Sequence, residues 1–172
     1  MSSGNGNRQD VARAVVRTAL GEFVVEATDR GLRSVTPMRP GIDSVEAEGG
    51  SEAGRHARAC AEFLARYAEG EGVRYHGALD LAAVPLHLAV WERLRVIPFG
   101  ATTSYGDIAA ALGMPGEARA IGNAVAANPL CVVVPCHRVV GADGSLRGFA
   151  WGLDLKRRLL AHEGSVALSL FG

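Results

Sequence analysis

The chain has 172 residues and a mass of 18.0 kDa, enough for one large domain or two small ones. Hydrophobic residues make up 48%, which excludes a wholly disordered chain, and three cysteines are too few, and odd in number, for a secreted disulfide scaffold. Eighteen basic residues balance eighteen acidic ones; this excludes a histone-like polycation but not a local DNA-binding face, which depends on how charge is arranged.

Residues 1–10 are polar and Gly/Ser/Asn-rich and read as a loose tail without the apolar stretch of a signal peptide. Three β-type runs follow: Ala14-Val15-Val16, Phe23-Val24-Val25 and Leu32-Arg33-Ser34-Val35. They are separated by turn signals at Leu20-Gly21 and Asp29-Arg30-Gly31. Residues 37–50 read as a surface loop. Between 51 and 69, Ala57, Cys60, Ala61, Leu64 and Tyr67 recur near helical spacing, with Gly70 as a stop. Val73 to Leu81 reads as a further strand. The first half, residues 11–83, is thus a small α/β unit with no evident chemistry. No apolar run approaches the ~20 residues of a membrane helix, so a soluble cytoplasmic protein with reduced thiols is expected.

From residue 84 the pattern turns helical. Pro85 to Val96 places Leu86, Ala89, Val90 and Leu94 on one face, and Pro98-Phe99-Gly100 ends it. Thr103-Ser104 offers a cap for a helix from Tyr105 to Leu112. A Gly-Met-Pro-Gly turn leads to a second helix from Glu117 to Ala127, with Ala118, Ile121, Ala124 and Val125 inward. The pair is a helix-turn-helix candidate or a plain helical hairpin.

After Asn128-Pro129, the run Leu130-Cys131-Val132-Val133-Val134 reads as a buried strand stopped by Pro135. Cys136-His137-Arg138 follow, so reactive groups begin where burial ends. A free thiol near pKa ~8.5 is only slightly ionised at neutral pH, and a neighbouring imidazole can take its proton. On an extended strand, adjacent side chains face opposite ways, so contact requires a break in the strand or a bridging water. Glu163, Asp143 and Asp154 are the carboxylates available to orient His137. The plain alternative is an inert buried Cys beside a solvent-facing His, and this reading is kept for Cys60 and Cys131. No Cys-x-x-Cys pair or second cluster supports a metal site, and no cofactor is expected.

Pro135-Cys136-His137-Arg138-Val139-Val140 resembles the active-site motif of the O6-alkylguanine-DNA alkyltransferases, direct-reversal DNA repair proteins. The resemblance extends through Trp91-Glu92, Ile97-Pro98-Phe99-Gly100, Thr103-Ser104-Tyr105, Ala118-Arg119-Ala120-Ile121-Gly122 and Ala127-Asn128-Pro129. It continues through Gly148, Trp151-Gly152, Lys156-Arg157 and Leu159-Leu160-Ala161-His162-Glu163, all in the family's order. It implies an α/β (α+β) fold: a ribonuclease-H-like N-terminal domain over residues 11–83, then a mostly helical domain over 84–172 with a helix-turn-helix. It also implies a monomer that acts on double-stranded DNA containing O6-alkylguanine, with no obligate protein partner and no membrane.

Residue by residue, the resemblance implies that Cys136 accepts the alkyl group, that His137 forms the thiolate through a water, and that Glu163 orients His137. Asn128 would brace the active-site turn. Tyr105 would lie near the guanine and supply a proton to it. Arg119 would enter the duplex, flanked by Ala118 and Gly122, and Arg147 and Lys156 would reach phosphates. Pro135, Val139, Phe149, Ala150 and Trp151 would form the substrate pocket. The family often has Tyr and a small polar residue where this chain has Phe149-Ala150, which bears on the substrate range. The implied reaction is one irreversible displacement at carbon on a flipped O6-alkylguanine, and less surely on O4-alkylthymine, because nothing hydrolyses the thioether formed. A sequence-reading transcription regulator, a lesion-binding protein without chemistry and a thiol hydrolase are the competing classes. The presence of Cys136 argues against the second.

Overall fold

The computed structural model describes residues 11–38 and 50–165; the polar tail and most of the loop read over 37–50 lie outside them. Strands β1 (Ala12–Thr18), β2 (Gly21–Thr28) and β3 (Gly31–Pro37) form an antiparallel meander in that order. β-Branched and aromatic residues suit these strands, and Val15 pairs with Val24 and Val25 with Val35. Helix α1 (Glu52–Ala68) packs across β1 and β2, burying Ala57, Cys60, Leu64 and Tyr67. Ser51 caps it by accepting from the Gly54 amide at 3.1 Å, and Gly70 ends it at φ +86°.

Val73 to Leu81 is not a strand. Only its Leu79 bridges β3, through Leu32 N to Ala78 O at 2.9 Å and Asp80 N to Leu32 O at 2.7 Å. The approach is close enough that a Cβ on Gly31 would lie 2.5 Å from the Ala78 carbonyl carbon, which accounts for glycine at that turn.

The second half holds α2 (Pro85–Arg95), β4 (Thr103–Ser104), α3 (Tyr105–Ala111), α4 (Ala118–Ala126), β5 (Val139–Val140) and α5 (Leu153–His162). α2 begins on Pro85, which has no amide hydrogen to waste. Its Trp91 Nε1 donates to Ala124 O at 2.8 Å, locking α2 to α4. Ser104 and Asp107 form a reciprocal capping box on α3. α3 and α4 pack together across a turn in which Gly113 and Gly116 take positive φ. Among the described residues no helix is long and apolar enough to cross a membrane.

Leu130 to Val134 is a buried turn, not a strand. Val35 N donates to Pro129 O at 2.9 Å and Cys131 N to Val35 O at 2.8 Å, so the segment touches the free edge of β3 once and then coils. Val132 takes φ +68°, a strained state for a β-branched residue that the surrounding packing has to enforce. The coil satisfies its own amides, with Val134 N on Leu130 O at 2.9 Å, whereas a continued strand would have used the edge of β3.

Candidate active site

Beyond Pro135 the chain makes one 3-10 turn, Cys136–Arg138. Adjacent side chains on a turn are not forced to opposite faces, so Cys136 and His137 leave the backbone inside the same buried region. Cys136 is 2% exposed and His137 0%. Asn128 holds the strained turn from within: its Nδ2 donates to Val134 O at 2.8 Å, and its Oδ1 accepts from Leu130 N at 2.9 Å.

Of the three candidate carboxylates, Glu163 meets His137. Its Oε1 lies 2.6 Å from His137 Nε2, whereas Asp143 is held by Ser145 and Asp154 by Arg157, both at the surface. Glu163 is also gripped by Arg138, Nε to Oε2 at 2.9 Å and Nη2 to Oε1 at 3.0 Å, and by the Gly100 amide at 3.0 Å. A fifth donor, Tyr67 on α1, bonds Oε1 at 2.6 Å. Sequence reasoning placed Tyr67 in the core and missed this contact, because its place in the apolar stripe is that of any buried aromatic.

Charge at the site follows these contacts. Burial pushes the Cys136 thiol up to about 11, against the Asn128 amide, the Lys156 ammonium and the backbone amides of Cys136 and His137, all of which favour the anion. Burial also pushes His137 down, partly offset by Glu163. Burial alone would raise Glu163, but the hydrogen bonds and charges of His137 and Arg138 outweigh it and hold the carboxyl well below its usual range. The resting pair is therefore a neutral thiol and a neutral imidazole. Nε2–H is committed to Glu163, and Nδ1 is buried without a hydrogen-bond partner among the described residues. This leaves Nδ1 as the lone-pair nitrogen able to take a proton.

A groove of about 580 Å³ runs between α4 and the loop before α5. α4 contributes Ala118, Arg119 and Gly122, and the loop contributes Arg147, Phe149 and Ala150. Tyr105 lines it too: its ring lies against Gly122, where a Cβ would be 3.8 Å from Cδ1, and its hydroxyl donates to Arg147 O at 3.0 Å. Burial raises the Tyr105 phenol, and the Cys136 charge raises it further, so the phenol and the sulfur lie within electrostatic reach of each other. Arg119 is exposed and makes no ion pair among the described residues. Asn123 and Ala126, also on the groove, carried no sequence signal beyond their place on the same helix face.

Four expected site residues fall elsewhere. Lys156 is not a surface contact for phosphate: it is fully buried, and its Nζ donates to Val139 O at 2.6 Å and Arg147 O at 2.8 Å. Desolvation pushes its ammonium down to about 8, against the opposing pull of Cys136. Pro135 lines a separate cavity of about 160 Å³ with Phe99 and Arg138. Val139 is fully buried and pairs with Thr103 of β4, so the side chains of both residues are spent on packing. Trp151 is half-buried and meets Phe149 edge-on at 5.3 Å, behind the groove wall. Among the described residues no three His, Cys, Asp or Glu side chains gather as a metal site.

Residues 85–165 match the family model for the DNA-binding domain of 6-O-methylguanine DNA methyltransferase. A methylated-DNA–protein-cysteine methyltransferase of Mycolicibacterium paratuberculosis is 47% identical over 113 residues, covering 64% of this chain and 68% of the relative. One from Methanosarcina acetivorans is 36% identical over 153 residues, covering 88% of this chain and 97% of the relative. The fold resembles the Mycobacterium tuberculosis O6-methylguanine methyltransferase with a TM-score of 0.77 at 31% identity, covering 95% of this chain and all (100%) of that one. Its solved complex with DNA matches with a TM-score of 0.76 at 32% identity, over 93% of this chain and 99% of that one. The chain belongs to the methylated-DNA–protein-cysteine methyltransferase family.

Proposed function

We propose that this protein repairs alkylated duplex DNA by moving the alkyl group from O6 of guanine to Cys136, once per molecule. The observation that carries this reading is the buried Cys136-His137 turn held on Glu163, beside a groove walled by Arg119 and Tyr105. The Cys136 proton passes through a water to His137 Nδ1, and the imidazolium formed is stabilised by Glu163. Sγ attacks the alkyl carbon, an S–C bond forms and the C–O6 bond breaks. Guanine leaves as an anion, a poor leaving group, so a proton donor beside it matters; Tyr105 is that donor once its hydroxyl turns from Arg147 O to the base.

The neutral resting pair fits this chemistry. A thiol raised to about 11 is protected from adventitious oxidation and alkylation. It ionises once its proton has passed through the water to His137. The thioether product has no leaving group, so the site is consumed.

The reactive carbon is stacked inside duplex DNA, so the nucleotide has to rotate out at a cost of a few kcal/mol. Arg119 is placed to fill the gap it leaves. Arg147, exposed and lining the groove, is assigned to phosphate contact, with backbone amides in place of the buried Lys156. O4-alkylthymine is a secondary substrate in this reading, and Phe149-Ala150 leaves recognition of the base to main-chain donors. We assign residues 11–83 to the supporting domain and 84–172 to the reacting one.

Labelled O6-methylguanine duplex, incubated with excess protein and digested, tests the reading. The label is expected on the Cys136 peptide alone, with no more than one group per chain. Cys136→Ala should lose transfer and keep DNA binding. Repeated turnover, or label on another residue, overturns the mechanism.

A further inference from the structure

The first half of the chain holds no residue assigned to the chemistry, yet it places one hydroxyl inside the site. We propose that Tyr67 is a positioning residue for alkyl transfer: its hydroxyl shares Glu163 Oε1 with His137 and so sets the tautomer and the proton affinity of that base. The inference rests on the alkyl-transfer reading above.

Tyr67 is in the last turn of α1 and is 1% exposed. Its ring meets Phe99 edge-on at 5.8 Å and His162 at 5.3 Å, and its main-chain oxygen accepts from His162 Nε2 at 2.7 Å. A phenylalanine would fill this space equally well. The hydroxyl is therefore the informative atom, because burying it costs free energy unless it is bonded. It donates to Glu163 Oε1 at 2.6 Å and lies 3.4 Å from His137 Nε2.

Two consequences follow. With its proton given to Oε1, the phenol oxygen offers Nε2 only lone pairs, as does the carboxylate. Nε2 therefore keeps its hydrogen and Nδ1 stays free to accept. As a third donor on Oε1, beside His137 and Arg138, the phenol also drains charge from the oxygen that stabilises the imidazolium, which lowers the proton affinity of His137.

The other groups facing His137 are few. Glu163 and Lys156 come from the α5 end, and Cys136 and Arg138 from its own turn. Cys131 and His162 bear on Tyr67, not on the imidazole. The phenol stays protonated, because burial and then the Glu163 charge push it above its usual range.

The test is the pH dependence of single-turnover transfer from a free O6-benzylated guanine base. Wild type is compared with Tyr67→Phe and with a chain carrying a fluorinated tyrosine at 67, a stronger donor of nearly the same shape. The acid limb, where His137 takes its proton from solvent, should move to higher pH by roughly half a unit to one unit in Tyr67→Phe. It should move to lower pH in the fluorinated chain. A merely structural role would scale the rate at every pH and leave the limb in place. If Tyr67→Phe does not fold, the fluorinated chain alone decides. An unmoved limb, or a shift of opposite sign, overturns the role of Tyr67. A wild type that transfers nothing overturns the alkyl-transfer reading instead.

Discussion

Asn128 shows how much one side chain decides here. It is 2% exposed, and its amide spans Leu130 and Val134, the two ends of the turn that carries Val132 at φ +68°. Removing it leaves the buried Leu130 amide unpaired, takes one of two donors from Val134 O and releases a strained conformation. Asn128→Ala should lower stability by roughly 2–3 kcal/mol in denaturant titration, and slow alkyl transfer beyond what the unfolded fraction explains. The identity of Asn128, Cys136, His137 and Glu163 was legible in the sequence through an ordered family pattern. Tyr67 and Lys156 were not: one reads as a core aromatic, the other as a surface cation, and only contacts distant in sequence reassign them.

At the level of elements, α4 and the loop before α5 make the groove, and Lys156 ties that loop to β5 from beneath through Arg147 O and Val139 O. A buried ammonium held by main-chain carbonyls and the Phe149 ring, with no carboxylate, is a costly device, and its position near Cys136 also favours the thiolate. Arg119 projects from the exposed face of α4 with no partner to lose among the described residues. Arg119→Ala should therefore fold normally and react with free benzylated guanine within roughly twofold of wild type. Repair of duplex O6-methylguanine should fall by about tenfold or more, because nothing then offsets unstacking. Equal losses on both substrates would argue against a wedge. α2 and α3 were legible because an apolar stripe meets a proline start or a cap, and α4 was legible from its apolar stripe alone. The runs at 73–81 and 130–134 misled, since an apolar run suits a strand and a buried coil alike, and the edge of β3 has room for one bridge to each.

For the whole molecule, the two halves meet where acid sensitivity is stored. His137 is buried with its pKa pushed down, so below the unfolded value of ~6.5 the unfolded chain binds a proton that the folded chain does not. Glu163 is held below its usual range, so below ~4.3 the unfolded chain again takes up a proton first. Both signs agree: stability falls as pH falls, beginning near ~6.5 and steepening under ~4.3. Urea midpoints against pH check this. His137→Gln should flatten the upper part and Glu163→Gln reduce the lower, leaving the slope due to Glu26, Asp80, Asp107 and Asp143, each held below its usual range by hydrogen bonds. A flat profile in wild type would contradict the buried pair.

By itself, the sequence determined the three-strand run, the helices α1 to α4, the candidate nucleophile with its neighbouring imidazole, and the family, because these depend on local periodicity and on a motif contiguous along the chain. Tertiary structure alone decided that the lone lysine is interior and that a tyrosine nearly a hundred residues upstream completes the carboxylate's shell. Those outcomes depend on which buried donors and acceptors converge in space, and spacing along a chain does not encode that convergence.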